Sequence, residues 1–546
     1  MIRAFCIRFL TLCGFVALAQ PPAPPPAFDI ADVHVSAHVI NPYMRGGVLR
    51  GGRYDVRTAN MLELISNAYS VQSEKVQGGP SWLETDYYDI SAKAPINTPP
   101  DTVKRMLQTL LAERFQLKVH TDTKPMPALG LVLGKSKPKL NESDGAAESR
   151  CRFVPQNNQS VPTAVIACQN RSMDQFAQDL HNFAGDYFNN QPVVNQTDLK
   201  GSWDFELKWM PRQFAAAASA RGIEHINIFD AVDKQLGLKL EAAKLPVPVL
   251  VVDGVNQKPS PNPPGVTASL PVLPPPEFEV ATIKPSAPGA TNTRGRLEHG
   301  RVDVENMPLK NLIELAWDLN ADELLANVPK FVDSAHFDIT AKAATPERGP
   351  DVDFEDLRLM VRALLIERFD LKGHFEERLI DGYVLSAVKP KMQKADPASR
   401  TGCKEGPGPD GKDPRIANPI LARLITCQNM TMALLADRLP NLAGGYVHTT
   451  VLDETGLTDG YDFTLSFSPI GSLRSGRPPG MPAPTPPAQQ PASGGGNQTA
   501  ASASDPSGAL SLPEAVNKQL GLKLELKRRP TQVLVIDHIN EKPIEN

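Results

Sequence analysis

Apolar residues recur at the spacing of one α-helical face in four segments of the first half of the chain and in four matching segments of the second. These segments lie at about 61–69, 103–115, 173–183 and 228–236, and again at about 309–317, 357–369, 432–442 and just before Gly521. Ser172 followed by Gln175 is a helix N-cap signature, and Thr431 takes the same place in the second half. Gly237 and Gly521 stand where glycine typically ends a helix. The pattern predicts four helices in each half.

Alternating or β-branched segments lie between the helical stripes and predict strands. In the first half they are Phe28–Val35, Arg53–Thr58, Tyr87–Ala94, Leu117–His120, Ala128–Leu133, Trp203–Trp209, Leu238–Ala242 and Val247–Asp253. Helices and strands are interspersed, and short turns join several strand pairs. This order is typical of an α+β fold with largely antiparallel sheets.

The two halves are copies of one sequence. YDISAKA at 88–94 returns as FDITAKA at 337–343, and KQLGLKLE at 234–241 returns letter for letter at 518–525. Further matching blocks are 28–31 with 278–281, 52–56 with 300–304, 113–118 with 367–372, 168–170 with 427–429, and 249–253 with 533–537. The order of the blocks is kept while their offset grows from about 250 to 284 residues. A domain of more than 200 residues has therefore been duplicated in tandem.

Composition marks the boundaries around these copies. Residues 1–19 carry Arg3 and Arg8, then an apolar stretch, then Ala-Leu-Ala, which is the pattern of a secretory signal peptide. The predicted units that follow are a proline-rich leader at 20–26, copy 1 at 27–258, a proline-rich linker at 259–276 and copy 2 at 277–546. Within copy 2, residues 476–508 are low in complexity, and we expect them to be disordered because they contain too few apolar residues to form a core.

Charge and apolar run length exclude two classes of partner. The chain has 57 Lys and Arg against 61 Asp and Glu, a formal net charge of −4, and no basic block. Nucleic-acid binding depends on clustered basic residues, so this composition argues against it. No apolar run after the signal peptide approaches the roughly 20 residues of a membrane span. We therefore expect an exported protein, periplasmic or secreted, whose mature part has no membrane span.

Four cysteines remain once the signal peptide is removed, namely Cys151, Cys168, Cys403 and Cys427. An even number in an exported chain predicts disulfides, and the Cys-x-x-Cys or neighbouring His that a metal site needs does not occur. Each copy places one cysteine after an early strand and one before its third helix. We therefore expect Cys151–Cys168 and Cys403–Cys427, each contributing about 3 kcal/mol through loop closure.

Both copies resemble the soil-associated protein family, a domain of unknown function expanded in acidobacteria. The similarity lies in GGPSWL at 78–83, LLAERFQLK at 110–118, FEVATIKPS at 278–286, LLIERFDLK at 364–372, and DETGLT at 453–458. Copy 1 departs from the family pattern at 195–201, and copy 2 departs from it at 327–331. The family has no established activity and no known catalytic residues, so the resemblance implies the domain but no site.

Three features are candidates for ligand contacts. His120 and His374 occupy the same place in the two copies and could be metal ligands or bases. No carboxylate or cysteine lies at ligand spacing in both copies, which favours a structural histidine at a strand end. Arg114 and Arg368, each preceded by Glu, can bind a ligand carboxylate or form an ion pair at a helix end. Trp82 is either an exposed platform for sugar or peptide, or a packed loop anchor.

No catalytic, cofactor-binding or metal-ligand motif is recognisable, so we expect no cofactor. The leading hypothesis is a non-catalytic binding or interaction module whose partner is an envelope or extracellular protein, a peptide or a glycan. Two linked copies gain avidity when both engage one partner. The alternative is a secreted or periplasmic hydrolase whose site assembles from residues distant in sequence. A pocket lined by carboxylates or histidines of both copies would favour that alternative.

Overall fold

The computed structural model describes most of the chain. It covers residues 24–544 with gaps at 38, 40–41, 155–162, 189–190, 213, 215–223, 273–275, 291, 299, 320–321, 344–353, 409–410, 419, 471–472 and 474–507. The predicted signal peptide, most of the leader and nearly all of the insert at 476–508 lie outside the described residues.

Copy 1 alternates strands with helices, as the sequence pattern predicts. Its elements are β1 (Ile30–Val35), β2 (Arg45–Arg50), β3 (Arg53–Asn60), α1 (Met61–Tyr69), β4 (Val76–Gly78), β5 (Tyr87–Lys93), α2 (Pro100–Phe115), β6 (Lys118–Leu133), β7 (Asn141–Glu142), β8 (Arg150–Phe153), β9 (Ala164–Arg171), α3 (Met173–Phe188), β10 (Val193–Asn195), β11 (Trp203–Trp209), α4 (Ile228–Ala231, prolonged by a π turn at Val232–Leu236) and β12 (Leu238–Gly254). A short helix, α5 (Val266–Ser269), follows.

Copy 2 repeats this order. Its elements are β13 (Phe278–Pro285), β14 (Arg294–Glu298), β15 (Arg301–Pro308), α6 (Leu309–Trp317), β16 (Leu325–Ala326), α7 (Lys330–Ser334), β17 (His336–Ala343), α8 (Phe354–Phe369), β18 (Lys372–Ala387), β19 (Gln393–Lys394), β20 (Gly402–Glu405), α9 (Pro414–Ala417), β21 (Arg423–Met430), α10 (Met432–Leu442), β22 (Val451–Asp453), β23 (Tyr461–Phe467), α11 (Leu512–Ala515, prolonged by a π turn at Val516–Leu520) and β24 (Leu522–His538).

Among the described residues, each copy forms three four-stranded sheets of largely antiparallel pairing, which confirms the α+β prediction. The orders are β1-β5-β3-β2, β10-β6-β12-β4 and β7-β11-β9-β8 in copy 1, and β13-β17-β15-β14, β16-β24-β18-β22 and β19-β23-β21-β20 in copy 2. The short strands β4 and β10, and their counterparts β16 and β22, add in parallel to the central antiparallel pair.

The predicted helix signals have their expected geometry. The Ser172 hydroxyl accepts from the Gln175 N–H, and the Gln175 side chain accepts from the Ser172 N–H. Thr431 caps α10 by accepting from the N–H of Leu434. Gly237 ends the fourth helix of copy 1 with a φ of 69°, a left-handed conformation that glycine adopts without a steric penalty.

A long two-stranded ribbon in each copy corrects the strand prediction. Leu117–His120 and Ala128–Leu133 were predicted as separate strands but belong to the single strand β6, and Leu238–Ala242 and Val247–Asp253 likewise belong to β12. Both long strands contain prolines, which cannot donate a ladder hydrogen bond. Pro125 lies opposite Pro246 in a part of the ribbon that no third strand covers, so the missing donors leave the pairing intact.

The ribbon joins two lobes, each with its own hydrophobic core. In copy 1 the first lobe packs α1 and α2 on the β1–β5–β3–β2 sheet, and the second packs α3 and α4 on the β7–β11–β9–β8 sheet. Opposite ends of the ribbon complete the two cores, through Leu250 and Val252 in one and Leu238 and Leu240 in the other. Copy 2 has the same two lobes. The amphipathic helices were predictable, whereas their division between two cores was not.

The second lobe of each copy contains one disulfide. Cys151 lies directly opposite Cys168 on strands β8 and β9, and Cys403 opposite Cys427 on β20 and β21. The sequence separations are 17 and 24 residues. This pairing within copies is the one predicted.

Part of the predicted linker is packed against copy 1. Val266 and Leu270 are buried, at 4% and 5% exposed, and α5 lies against β1. Asn262 and Thr267 donate to the buried carboxylate of Asp32 at 2.5 and 2.8 Å. Proline content suggested a spacer, but these apolar and polar side chains anchor residues 260–270 to the first lobe.

Candidate functional site

The two copies meet at a junction to which copy 2 contributes arginines. Arg400, just before β20, donates to the backbone carbonyls of Val76 and Gly78 in copy 1 at 2.9 and 2.7 Å. Its guanidinium lies 4.0 Å from the carboxylate of Glu84. Only 22% of the Arg400 side chain is exposed, so these contacts form in a partly desolvated position where charge-assisted hydrogen bonds are strong.

A second arginine binds the same turn of copy 1. Arg438, on α10, donates to the backbone carbonyl of Glu84 and to the Tyr87 hydroxyl, the latter at 3.1 Å. Burial raises the pKa of the nearby Glu63 carboxyl, and the positive charge of Arg438 partly offsets this rise. Burial also raises the pKa of Tyr87, with Arg438 again acting in the opposite direction. The arginine therefore supplies positive charge to an acidic, partly buried region of copy 1.

At the β2–β3 hairpin the roles are exchanged: copy 1 supplies the arginines and copy 2 supplies the acceptor groups. Arg45 of copy 1 donates to the carboxylates of Asp318 and Glu355 in copy 2 at 3.2 and 3.3 Å, and its side chain is 13% exposed. Arg50 of the same hairpin pairs with Asp356. We call the region around Arg45 and Glu84 the docking surface of copy 1. It is bound by carboxylates at the hairpin and by guanidinium groups at the turn.

The junction arginines were missed at the sequence level. A signal was nevertheless present, because the two copies differ in charge at these positions. Arg400 stands three residues before its cysteine, where copy 1 has Glu148, and Arg438 stands six residues into its helix, where copy 1 has Asp179. The two copies therefore differ in charge at the places where copy 2 contacts copy 1: the carboxylates of Glu148 and Asp179 pair with Arg150 and Arg171 within copy 1.

The two predicted histidines have the same unforeseen partner in both copies. His120 Nδ1 lies 2.9 Å from Asp253 Oδ2, and His374 Nδ1 lies 2.9 Å from Asp537 Oδ2, each pair bridging the two strands of a ribbon. Both histidine side chains are 53% exposed. The hydrogen bond to Asp537 raises the pKa of His374, and Glu376, 3.7 Å from Nε2, adds to this effect. Every side-chain partner that the structure gives these imidazoles is a carboxylate.

Arg114 lies in the wall of a cavity and holds the linker. It donates to the Ala31 carbonyl, to the hydroxyl and carbonyl of Ser260 and to the Asn262 side chain, at 3.0, 3.0, 2.6 and 2.5 Å. The cavity, of about 260 Å³, is bounded by this arginine, by Phe28 and by proline residues of the linker. In this structure the linker therefore provides the polar groups that an external ligand would otherwise supply.

The remaining predicted contacts occupy packed positions. Arg368 lies 3.5 Å from the neighbouring Glu367 carboxylate, and its backbone carbonyl accepts from the N–H of Ile544 at 2.7 Å. Trp82 is half-buried and packs against the first-lobe core of copy 1, the position of a loop anchor. A ligand role for either residue stays a prediction.

Copy 2 contains a coupled pair of carboxyl groups that the sequence did not indicate. Burial, followed by a hydrogen bond with Asp322, raises the pKa of Glu314 to about 7. Lys310 lies 2.8 Å from Asp322 and lowers the pKa of that carboxyl. At the corresponding positions of copy 1, Ser66 and Ser73 bring two hydroxyl groups within 3.4 Å. Copy 2 thus has an ionisable pair where copy 1 has a neutral one.

Among the described residues, no group of three or more His, Cys, Asp or Glu side chains is arranged to hold a metal ion. None of their helices combines the length and the apolar character needed to cross a membrane.

Comparison with known proteins identifies the domain. The sequence model of a family described as protein of unknown function (DUF3738) matches twice, at residues 62–255 and 310–539. No curated protein and no solved structure matches the chain. The two matches coincide with the two copies of the repeat and cover most of the sequence. The chain is therefore a member of the DUF3738 family and contains two tandem copies of its domain of unknown function.

Proposed function

We propose that this protein is a non-catalytic binding module that works outside the cytoplasmic membrane, in the periplasm or beyond the cell. The observation that carries this proposal is the junction, where one copy of the domain binds the docking surface of the other through Arg400 and Arg438. A domain that recognises polypeptide within its own chain has the surface chemistry to recognise a separate partner. A predicted signal peptide and one disulfide per copy support the compartment.

The hydrolase alternative is favoured by one observation, the His–Asp pair that recurs in both copies. An aspartate on Nδ1 orients an imidazole as a general base, as in catalytic triads. A triad also needs a hydroxyl or thiol at the other ring nitrogen, and the partner that the structure gives His374 there is the Glu376 carboxylate. We therefore rank binding above hydrolysis.

The experiment captures partners from a native envelope fraction with the immobilised mature chain, and then purifies the partner and measures binding directly. The expected result is saturable binding that leaves the mass of the partner unchanged and is retained in the His120→Ala/His374→Ala variant. Cleavage of the partner that disappears in this double variant would establish the hydrolase instead. Absence of any saturable partner among envelope proteins, peptides and glycans would contradict the binding module.

A further inference from the structure

Three consecutive residues of copy 2 contact copy 1 immediately before and at the start of β20. Arg400 donates to two backbone carbonyls of copy 1, and the Thr401 N–H donates to the Ser81 carbonyl at 3.0 Å. The Glu84 carboxylate occupies the space that a side chain at Gly402 would need. We call residues 400–402 the contact segment.

A disulfide attaches the contact segment to the body of the second lobe. Strand β20 is four residues long and lies at the edge of its sheet, where it pairs with β21. Cys403 directly follows the contact segment and is bonded to Cys427 on β21. Cys427 is 2% exposed and belongs to the core of this lobe. The disulfide is therefore a covalent link between the segment that contacts copy 1 and the packed interior of copy 2.

The two sulfur atoms differ in their surroundings. Cys403 is half-buried on the edge strand, and Lys404 and Glu405 after it are exposed. Cys427 is enclosed in the core. A thiol in solution therefore reaches the disulfide through Cys403, at the end of the bond that lies beside the junction.

We propose that the Cys403–Cys427 disulfide is a redox switch for the junction. Its reduction by a dithiol releases the contact segment and uncovers the docking surface of copy 1. This proposal rests on the binding function proposed above and adds the regulation of that function.

The reaction is thiol–disulfide exchange. A thiolate of the dithiol attacks the Sγ of Cys403, the bond to Cys427 breaks, and Cys427 leaves as a thiolate. The second thiol of the reductant then attacks the mixed disulfide and releases Cys403. The dithiol is oxidised to a disulfide, while the two cysteines gain its two electrons and its two protons.

Release of the contact segment exposes hydrogen-bond acceptors. The carbonyls that Arg400 binds belong to Val76 and Gly78 of β4, which lies at the edge of its own sheet. Backbone groups at an open sheet edge are the groups that a partner strand recognises. In the oxidised chain the guanidinium of Arg400 occupies these acceptors.

The disulfide of copy 1 provides a matched control. Cys151–Cys168 joins β8 to β9 as Cys403–Cys427 joins β20 to β21. Arg150 on β8 pairs at 3.4 Å with Glu148 of the same copy. Loss of the copy 1 disulfide should therefore loosen β8 and leave the junction closed.

The test measures hydrogen exchange of the Thr401 amide in the full-length chain before and after reduction with dithiothreitol under native conditions. Alkylation and peptide mapping identify the cysteines that have been reduced. A disulfide across a loop of 24 residues contributes a factor of about a hundred to an equilibrium constant. Because β20 keeps its backbone hydrogen bonds to β21, we expect Thr401 to exchange at least about tenfold faster after reduction.

Two double variants separate the switch from a general effect of reduction. Cys403→Ser/Cys427→Ser should show the fast Thr401 exchange without reductant, and dithiothreitol should not increase it further. Cys151→Ser/Cys168→Ser should exchange Thr401 at the wild-type rate until reductant is added. The Ser468 amide, which donates to the Leu510 carbonyl at 2.8 Å within the second lobe, should stay protected throughout.

Four results would overturn the proposal. They are a Cys403–Cys427 bond that resists dithiothreitol in the native chain, an unchanged Thr401 rate after its reduction, a Ser468 rate that rises as much as that of Thr401, and an equal effect of the copy 1 double variant. The third would show that the disulfide supports the whole lobe and not the junction. The envelope capture with the oxidised chain tests the binding function separately, so each proposal can fail alone.

Discussion

Arg400→Ala tests how strongly the two copies are held together. The guanidinium makes hydrogen bonds of 2.9 and 2.7 Å to two carbonyls of copy 1, those of Val76 and Gly78. A hydrogen bond from a charged group contributes about 1.5–3 kcal/mol. Because both bonds share one side chain that keeps some solvent contact, we expect the substitution to weaken the junction by about 2–4 kcal/mol in total. The equilibrium constant for opening should then rise by about 30- to 700-fold.

Hydrogen exchange measures this opening at a single amide. The Thr401 N–H donates to the Ser81 carbonyl across the junction at 3.0 Å, so its exchange depends on separation of the copies. The Gly406 N–H donates to Leu424 within the second lobe at 2.8 Å and provides an internal reference. The exchange rate of Thr401 should increase by the factor given above, while that of Gly406 should stay constant.

Lys404→Ala is the matched control, since Lys404 is an exposed cation on the adjacent strand β20. It should leave both amides unchanged. If Thr401 exchanges at the wild-type rate in Arg400→Ala, the guanidinium does not hold the copies together.

Three further outcomes follow from the sequence and the structure. Amino-terminal sequencing of the protein from an envelope or culture fraction should give a start at Gln20 or within the proline run, and recovery of intact Met1 would refute export. Replacing Cys403 and Cys427 by serine should lower the free energy of unfolding by about 3 kcal/mol, so an unchanged denaturant midpoint would contradict the disulfide. The raised pKa of Glu314, about 7, means that the folded chain holds a proton which the unfolded chain releases above about 4.5. Stability should therefore fall as the pH rises from about 4.5 to about 7, and Glu314→Gln should flatten that part of the curve of stability against pH. Equal slopes in the variant and the wild type would show that the carboxyl does not retain its proton.

Local features of the sequence were sufficient to predict where the helices lie. The apolar stripes and the Ser172 and Thr431 caps depend on residues three or four apart, and the structure has helices at these places. The repeat was equally visible, because duplicated blocks can be compared without knowledge of the fold. The extent of the strands was less accessible, because two short predicted strands join into one long strand only through pairing with a distant partner, as β6 does with β12.

The candidate sites depend on contacts that sequence proximity does not reveal. Asp253 lies 133 residues from His120, and the carbonyl of Val76 lies 324 residues from Arg400. No periodicity links such positions, because the chain brings them together only when a ribbon pairs or two lobes meet. For this reason the sequence predicted that His120 lies at a strand end but did not predict its contact with Asp253.

The amino-acid sequence was enough to establish the duplication, the α+β class, the helices and the cysteine pairing, because each of these depends on short-range pattern or on comparison of one copy with the other. Two lobes per copy, the His–Asp pairs and the arginine junction emerged only from the folded chain. They arise where side chains from distant segments share one surface, and there burial and charge, which no local pattern encodes, determine which groups bind each other.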